Sequence, residues 1–109
     1  MKILVLTETD TCCGPCVAAF LRDYSNALEV VSAGRNPLQS VEPMMVEAMM
    51  ECLIDLSGYV PQGLESIQME TVDRVYECPD IPCPATMEEA RSVRDFIKNE
   101  AYLFFRRIA

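Results

Sequence analysis

The residues with chemical potential are cysteines. The chain has six of them and no histidine. Without histidine, Ser/His and Cys/His nucleophilic schemes and His-ligated metal sites are excluded. Thiols, carboxylates, hydroxyls and backbone amides remain. Cys12, Cys13 and Cys16 cluster near the start of the chain, and Cys78 and Cys83 flank a proline-rich stretch. Cys52 lies in a Met-rich segment and reads as a small core hydrophobe. Cys13-Gly14-Pro15-Cys16 is a Cys-x-x-Cys pair. A helix amino terminus at this point would favour a thiolate, because free N–H groups and the positive dipole end meet there. Such a pair can cycle between dithiol and disulfide. Ahead of it runs the polar stretch Thr7, Glu8, Thr9, Asp10 and Thr11, which with Gly14 makes a candidate binding loop.

Three apolar segments can position that loop. Lys2 to Leu6 is almost wholly apolar, as a strand buried on both faces requires. Val17, Ala18, Phe20, Leu21 and Tyr24 repeat at a helical period, with Pro15 suited to a first turn. Leu28 to Val31 predicts a second strand, ended by Ser32-Ala33-Gly34. Val41 to Cys52 predicts a helix, and Ser57 to Pro61 a loop. Val72 to Tyr76 predicts a third strand, followed by a loop holding Pro79, Pro82 and Pro84. Thr86-Met87-Glu88-Glu89 has the spacing of a capping box, opening a helix that runs towards Arg106. Strand and helix alternate throughout, which predicts a parallel sheet covered by helices in a single domain over 1–109. In such sheets ligands bind beyond the carboxyl ends of the strands, where the Thr7 to Cys16 loop lies.

Composition narrows the partners. Net charge is −8, against nucleic acid and anionic membrane surfaces, both of which need a basic footprint. The apolar start is too short for a signal peptide and lacks a cleavage pattern, so a cytoplasmic location is expected. Half the chain is hydrophobic, enough for a core without disulfide staples. In a reducing compartment cysteines more often bind metal or do redox work.

The order of motifs resembles the low-molecular-weight phosphatase and arsenate reductase family. Lys2 to Leu6, the loop Thr7 to Cys13, Ala18-Ala19-Phe20-Leu21-Arg22, Ser32-Ala33-Gly34 and Ile54 to Tyr59 follow its pattern. Asp80-Ile81-Pro82-Cys83-Pro84-Ala85 resembles its acid loop, and Val93-Arg94-Asp95-Phe96-Ile97 its last helix. Fewer residues than usual separate the third strand from the acid loop. The resemblance implies a three-layer, flavodoxin-like parallel sheet with helices on both faces, shortened here. It also implies that the nucleophilic Cys position holds Thr7, the phosphate-clamping Arg position holds Cys13, and the general-acid Asp position holds Cys83. A thiol cannot supply the guanidinium's bidentate fork, and a neutral thiol is a poor acid for a leaving oxygen. Glu8 and Asp10 add negative charge where a dianion should enter. Like charges 4 Å apart repel by about 4 kcal/mol at an effective dielectric near 20. The family's phosphatase chemistry is therefore not expected.

The same resemblance brings Cys83, and with it Cys78, to the loop. Two function classes follow. In a thiol oxidoreductase, Cys13 and Cys16 exchange, with Cys12 or Cys83 resolving and a redox partner protein turning the cycle over. Cys78 and Cys83 can instead correspond to the later cysteine pair through which arsenate reductases pass a disulfide. In a binding protein, Cys12, Cys13, Cys16 and Cys83, with or without Cys78, ligate a soft metal ion, a metalloid or an iron–sulfur cluster. A third reading is an inactive interaction module. Cys-Gly-Pro-Cys is also the thioredoxin active-site sequence, but the capped helix after Pro82 does not fit that fold, so only the local chemistry carries over.

Overall fold

A computed structural model describes residues 1–79 and 81–109. Asp80, the first residue of the acid-loop resemblance, lies outside the described residues. The elements in chain order are β1 (Lys2–Thr7), α1 (Cys13–Tyr24), β2 (Glu29–Gly34), α2 (Pro43–Met50), β3 (Arg74–Glu77) and α3 (Met87–Ile108), with two single 3₁₀ turns between α2 and β3. The strands form a parallel sheet in the order β2-β1-β3. This is the α/β architecture that the alternation of strand and helix implies.

β1 is central and carries the run Ile3-Leu4-Val5, each fully buried. Ile3 and Val5 join the main core with α1 and α3, including Phe20, Leu21, Ile97 and Phe104. Leu4 and Ala33 point to the opposite pleat and are also fully buried. Both faces at the centre of the sheet are thus covered, as a two-sided apolar strand needs. Helix α1 lies on β1 and β2, α3 on α1, and α2 on α3. Small residues set the closeness of these helices: Ala18, Ala90 and Ala101 have no exposed surface.

Several boundaries differ from the sequence expectation. β2 does not end before Ser32-Ala33-Gly34 but runs through it, because the ladder to β1 continues to the pair Thr7↔Gly34. β3 begins two residues later than expected, at Arg74. Helix α1 opens at Cys13, which places Pro15 in its first turn as expected. Thr86 caps α3 as expected, accepting from Glu89 N at 3.1 Å, while Glu89 Oε2 reaches back one residue past the cap and accepts from Ala85 N at 2.8 Å. Pro43 opens α2, where its missing N–H costs nothing. No described helix is long and apolar enough to cross a membrane.

Candidate functional site

The loop between β1 and α1 is fixed by its own carbonyls. Thr7 O, Glu8 O, Thr9 O and Thr11 O accept from Arg35 N, Asn36 N, Leu38 N and Glu42 N at 3.0, 2.7, 3.1 and 2.9 Å. The segment after β2 therefore holds the segment after β1 almost residue by residue. Gly34 is needed for this approach: a Cβ there would sit 2.9 Å from Glu8 O and 3.0 Å from Asp10 N. These are backbone atoms that cannot rotate away.

Asp10 anchors the loop from inside. Its φ of 56° is left-handed, which Asp tolerates better than most residues. The side chain is fully buried. Oδ2 accepts from the Tyr59 hydroxyl and from Gln62 N at 3.0 Å. Tyr59 has one proton, which it gives to Asp10, so Ser32 Oγ, 2.7 Å away, donates to the Tyr59 oxygen. Asp10 Oδ1 has no partner among the described residues. Burial raises the Asp10 carboxyl above its ordinary value, and the Tyr59 and Gln62 hydrogen bonds oppose that only in part.

A cavity of about 330 Å³ opens beside this loop, lined by Thr7, Glu8, Thr9, Arg35 and the sulfur-bearing residues Cys12, Cys13, Cys78 and Cys83. Four of the five cysteines marked out for chemistry therefore meet at one place. Cys12 and Cys83 are joined in a disulfide across 71 residues of chain, with Cα atoms 6.1 Å apart. Cys12 is buried and Cys83 is exposed, so one end of the bond faces outward. Cys13 and Cys78 remain thiols. The neighbouring Cys13 thiol, with burial added, pushes the Cys78 thiol far above its ordinary value.

The remaining candidates lie outside the cavity. Cys16 is a free thiol with no exposed surface, and burial pushes it well up. It sits in the core face of α1 and is not bonded to Cys13. Cys52 is a half-buried free thiol in the turn after α2. Within the predicted binding loop, Thr7, Glu8 and Thr9 line the cavity, whereas Asp10, Thr11 and Gly14 build its frame. The charge expected from Asp10 in the mouth of the loop is turned inward instead, because Tyr59 and Gln62 capture it. Among the described residues, no group of three or more Cys, Asp or Glu side chains is disposed to hold a metal ion.

Arg35 escaped the sequence reading. It lines the cavity and pairs with Glu77. Parallel neighbours end at the same edge of a sheet, so the residue after β2 lies beside the residue after β1. The register Thr7↔Gly34 would have pointed to it.

The backbone as a whole matches solved structures. An arsenate reductase in the phosphate-binding state superposes with a TM-score of 0.88 at 19% identity, over 99% of this chain and 98% of that one. The fold is that of the low-molecular-weight phosphatases and arsenate reductases. A low-molecular-weight protein tyrosine phosphatase from T. tengcongensis gives 0.85 at 16% identity, over 98% and 99% of the two chains. An arsenate reductase from Archaeoglobus fulgidus gives 0.80 at 15%, over 95% and 98%. No family model matches the sequence. On this fold, Thr7, Cys13 and Cys83, the three positions that the resemblance matches to nucleophile, guanidinium and acid, all line the same cavity.

Proposed function

We propose that this protein is a thiol–disulfide redox protein built on the phosphatase and arsenate reductase fold, with Cys12–Cys83 as its working disulfide. The observation that carries this is the bond itself, which joins the loop before α1 to the strap before α3 at the mouth of a sulfur-lined cavity. Reduction would begin with a thiolate of a dithiol partner protein attacking the exposed Cys83 sulfur. The Cys12–Cys83 bond breaks, Cys12 leaves as a thiolate and takes up a proton. The partner's second thiol then attacks the mixed disulfide, Cys83 leaves as a thiol, and the partner departs oxidised. Two electrons and two protons reach this chain. The thiols of Cys13 and Cys78 lie in the same cavity as internal exchange partners.

This reading moves the exchanging pair from Cys13–Cys16 to Cys12–Cys83. What supports the move is access, since Cys16 is closed off and Cys83 is not. It also retains the loss of phosphatase chemistry, because Thr7 and Cys13 stand where nucleophile and guanidinium belong. A second reading, ligation of a soft metal ion, a metalloid or an iron–sulfur cluster, rests on the four cysteines lining one cavity and requires the disulfide to open first. Elemental analysis of the reduced protein, with added Zn²⁺ and arsenite, tests it.

For the redox reading, the protein is equilibrated in dithiol–disulfide buffers and its bonds are mapped by mass spectrometry without reduction. One two-electron transition is expected, lost in Cys12→Ser and in Cys83→Ser and kept in Cys16→Ser. No hydrolysis of p-nitrophenyl phosphate accompanies it. A transition lost in Cys16→Ser but intact in Cys12→Ser would return the activity to the Cys-Gly-Pro-Cys pair.

A further inference from the structure

The two sulfurs of the Cys12–Cys83 bond have unlike surroundings. Cys83 is exposed, whereas Cys12 is buried and stands immediately before α1. The Cys12 sulfur also has a hydrogen-bond donor. Thr11 Oγ1, itself buried, lies 3.9 Å from Cys12 Sγ. On its other side it lies 2.8 Å from Thr9 Oγ1. A hydroxyl has one proton. Thr11 gives its proton to sulfur, so Thr9 is the donor to Thr11. Thr9 is half-buried and lines the cavity. A line of hydroxyls thus runs from the cavity to the buried end of the disulfide.

The backbone beneath these hydroxyls is pinned. Thr9 O and Thr11 O accept from Leu38 N and Glu42 N at 3.1 and 2.9 Å, and Asp10 N between them donates to Thr7 Oγ1 at 3.1 Å. Thr11 is therefore held against Cys12 before any reaction begins. The contact is long while sulfur is neutral, as bonds that serve a developing charge often are before it develops. The first N–H groups of α1 add positive potential at the same sulfur.

We propose that Thr11 is a positioning residue for thiol–disulfide exchange, its hydroxyl receiving the charge that develops on Cys12 Sγ when Cys83 is attacked. The inference rests on the redox reading and adds a polarity to the bond. An incoming thiolate bonds to Cys83 Sγ, and the electron pair of the broken S–S bond goes to Cys12 Sγ. Thr11 donates to that thiolate. Thr11 then passes its proton to sulfur and takes that of Thr9, and Thr9 takes one from solvent in the cavity. A charged acceptor makes a hydrogen bond about twice as strong as a neutral one. Thr11 thus favours the leaving thiolate over the intact disulfide, and a difference of that kind accelerates the step. Attack in the opposite sense would leave the charge on Cys83, away from this hydroxyl.

The oxidised protein is opened with excess dithiothreitol, and the thiols released at each time are alkylated and mapped by mass spectrometry. Thr11→Val keeps the side-chain shape and loses the hydroxyl. It should slow opening about threefold, and Thr11→Ser should restore the parent's rate. Serine lacks the methyl group, so its rescue separates the hydroxyl from packing. Cys12 is then followed by itself in Cys83→Ser, through its alkylation by iodoacetamide against pH. Adding Thr11→Val should move that profile up by about one pH unit, and Thr9→Val should move it the same way by less. Glu8, Asp10, Arg35, Glu77, Cys13 and Cys78, the other titratable groups at the cavity and its frame, are the same in every variant. A Cys12–Cys83 bond that does not open and re-form in thiol buffers defeats the redox reading and this inference together. A bond that opens as fast in Thr11→Val as in the parent, with the Cys12 profile unmoved, defeats the role of Thr11 alone. So does a Thr11→Ser variant as slow as Thr11→Val.

Discussion

At the scale of single residues, the loop is governed by where its carboxylates point. Glu8 faces the cavity and takes a hydrogen bond from Asn36 Nδ2 at 2.6 Å. Asp10 faces the core and is raised in pKa by burial. Because the folded value lies above the unfolded one, the folded state holds this proton more tightly. Asp10's contribution to stability is therefore fully present below about pH 4 and lost as pH rises through its folded pKa. Asp10→Asn removes the buried charge and keeps an oxygen for Tyr59 and Gln62. Denaturant unfolding should find the variant more stable than the parent at pH 7, with the gap closing towards pH 4. A gap that widens on acidification would show that the hydrogen bonds, not burial, dominate the site. Residue types marked out the cysteines here, but their directions were hidden. Nothing in the spacing of Thr7 to Cys16 says that Asp10 turns inward, because the acceptors' partners, Tyr59 and Gln62, arrive from a distant loop. The meeting of Cys83 with Cys12 was legible only through the family resemblance. Arg35 was missed because it follows a strand whose end was placed too early.

At the scale of elements, apolar pattern and caps proved sufficient where the signal is local. The two-sided burial of β1 follows from Ile3-Leu4-Val5, and the start of α3 from Thr86 and Glu89. Strand ends were less legible, because a parallel strand stops where its neighbour stops, and that is a property of the pair. β2 continues to Gly34 for this reason. The close contact of α1 and α3 was not readable either, since alanines suit any helix. The structure shows what they do: Ala101 has no exposed surface, in a helix packed directly on α1. A larger side chain has nowhere to go without parting the helices. Ala101→Leu should cost about 1–3 kcal/mol in urea unfolding. A neutral result would mean that the α1–α3 contact is loose enough to repack.

At the scale of the whole molecule, one covalent bond ties the two halves of the cavity together. Residues 12 and 83 belong to segments that otherwise meet through the sheet: β1 feeds one and β3 the other, with Cys78 N donating to Leu6 O at 3.0 Å just before the strap begins. The Cys12–Cys83 bond ties the segment before α3 to the loop before α1. A cross-link spanning 71 residues restricts the unfolded chain far more than it restricts the folded one. Loop-closure entropy for that span is worth about 4 kcal/mol, a large share of the roughly 5–15 kcal/mol that keeps a domain folded. Reduction should therefore lower the unfolding free energy by an amount approaching that value, and Cys12→Ser/Cys83→Ser should reproduce the reduced protein and be indifferent to reductant. Paired urea titrations of oxidised and reduced protein measure the difference directly. If oxidised and reduced forms unfold at the same midpoint, the bond does not constrain the unfolded chain, and the strap must be held by its other contacts. If they differ as expected, redox state and fold stability are linked: any partner that opens the Cys12–Cys83 bond also loosens the domain around the cavity where the exchanged thiols lie.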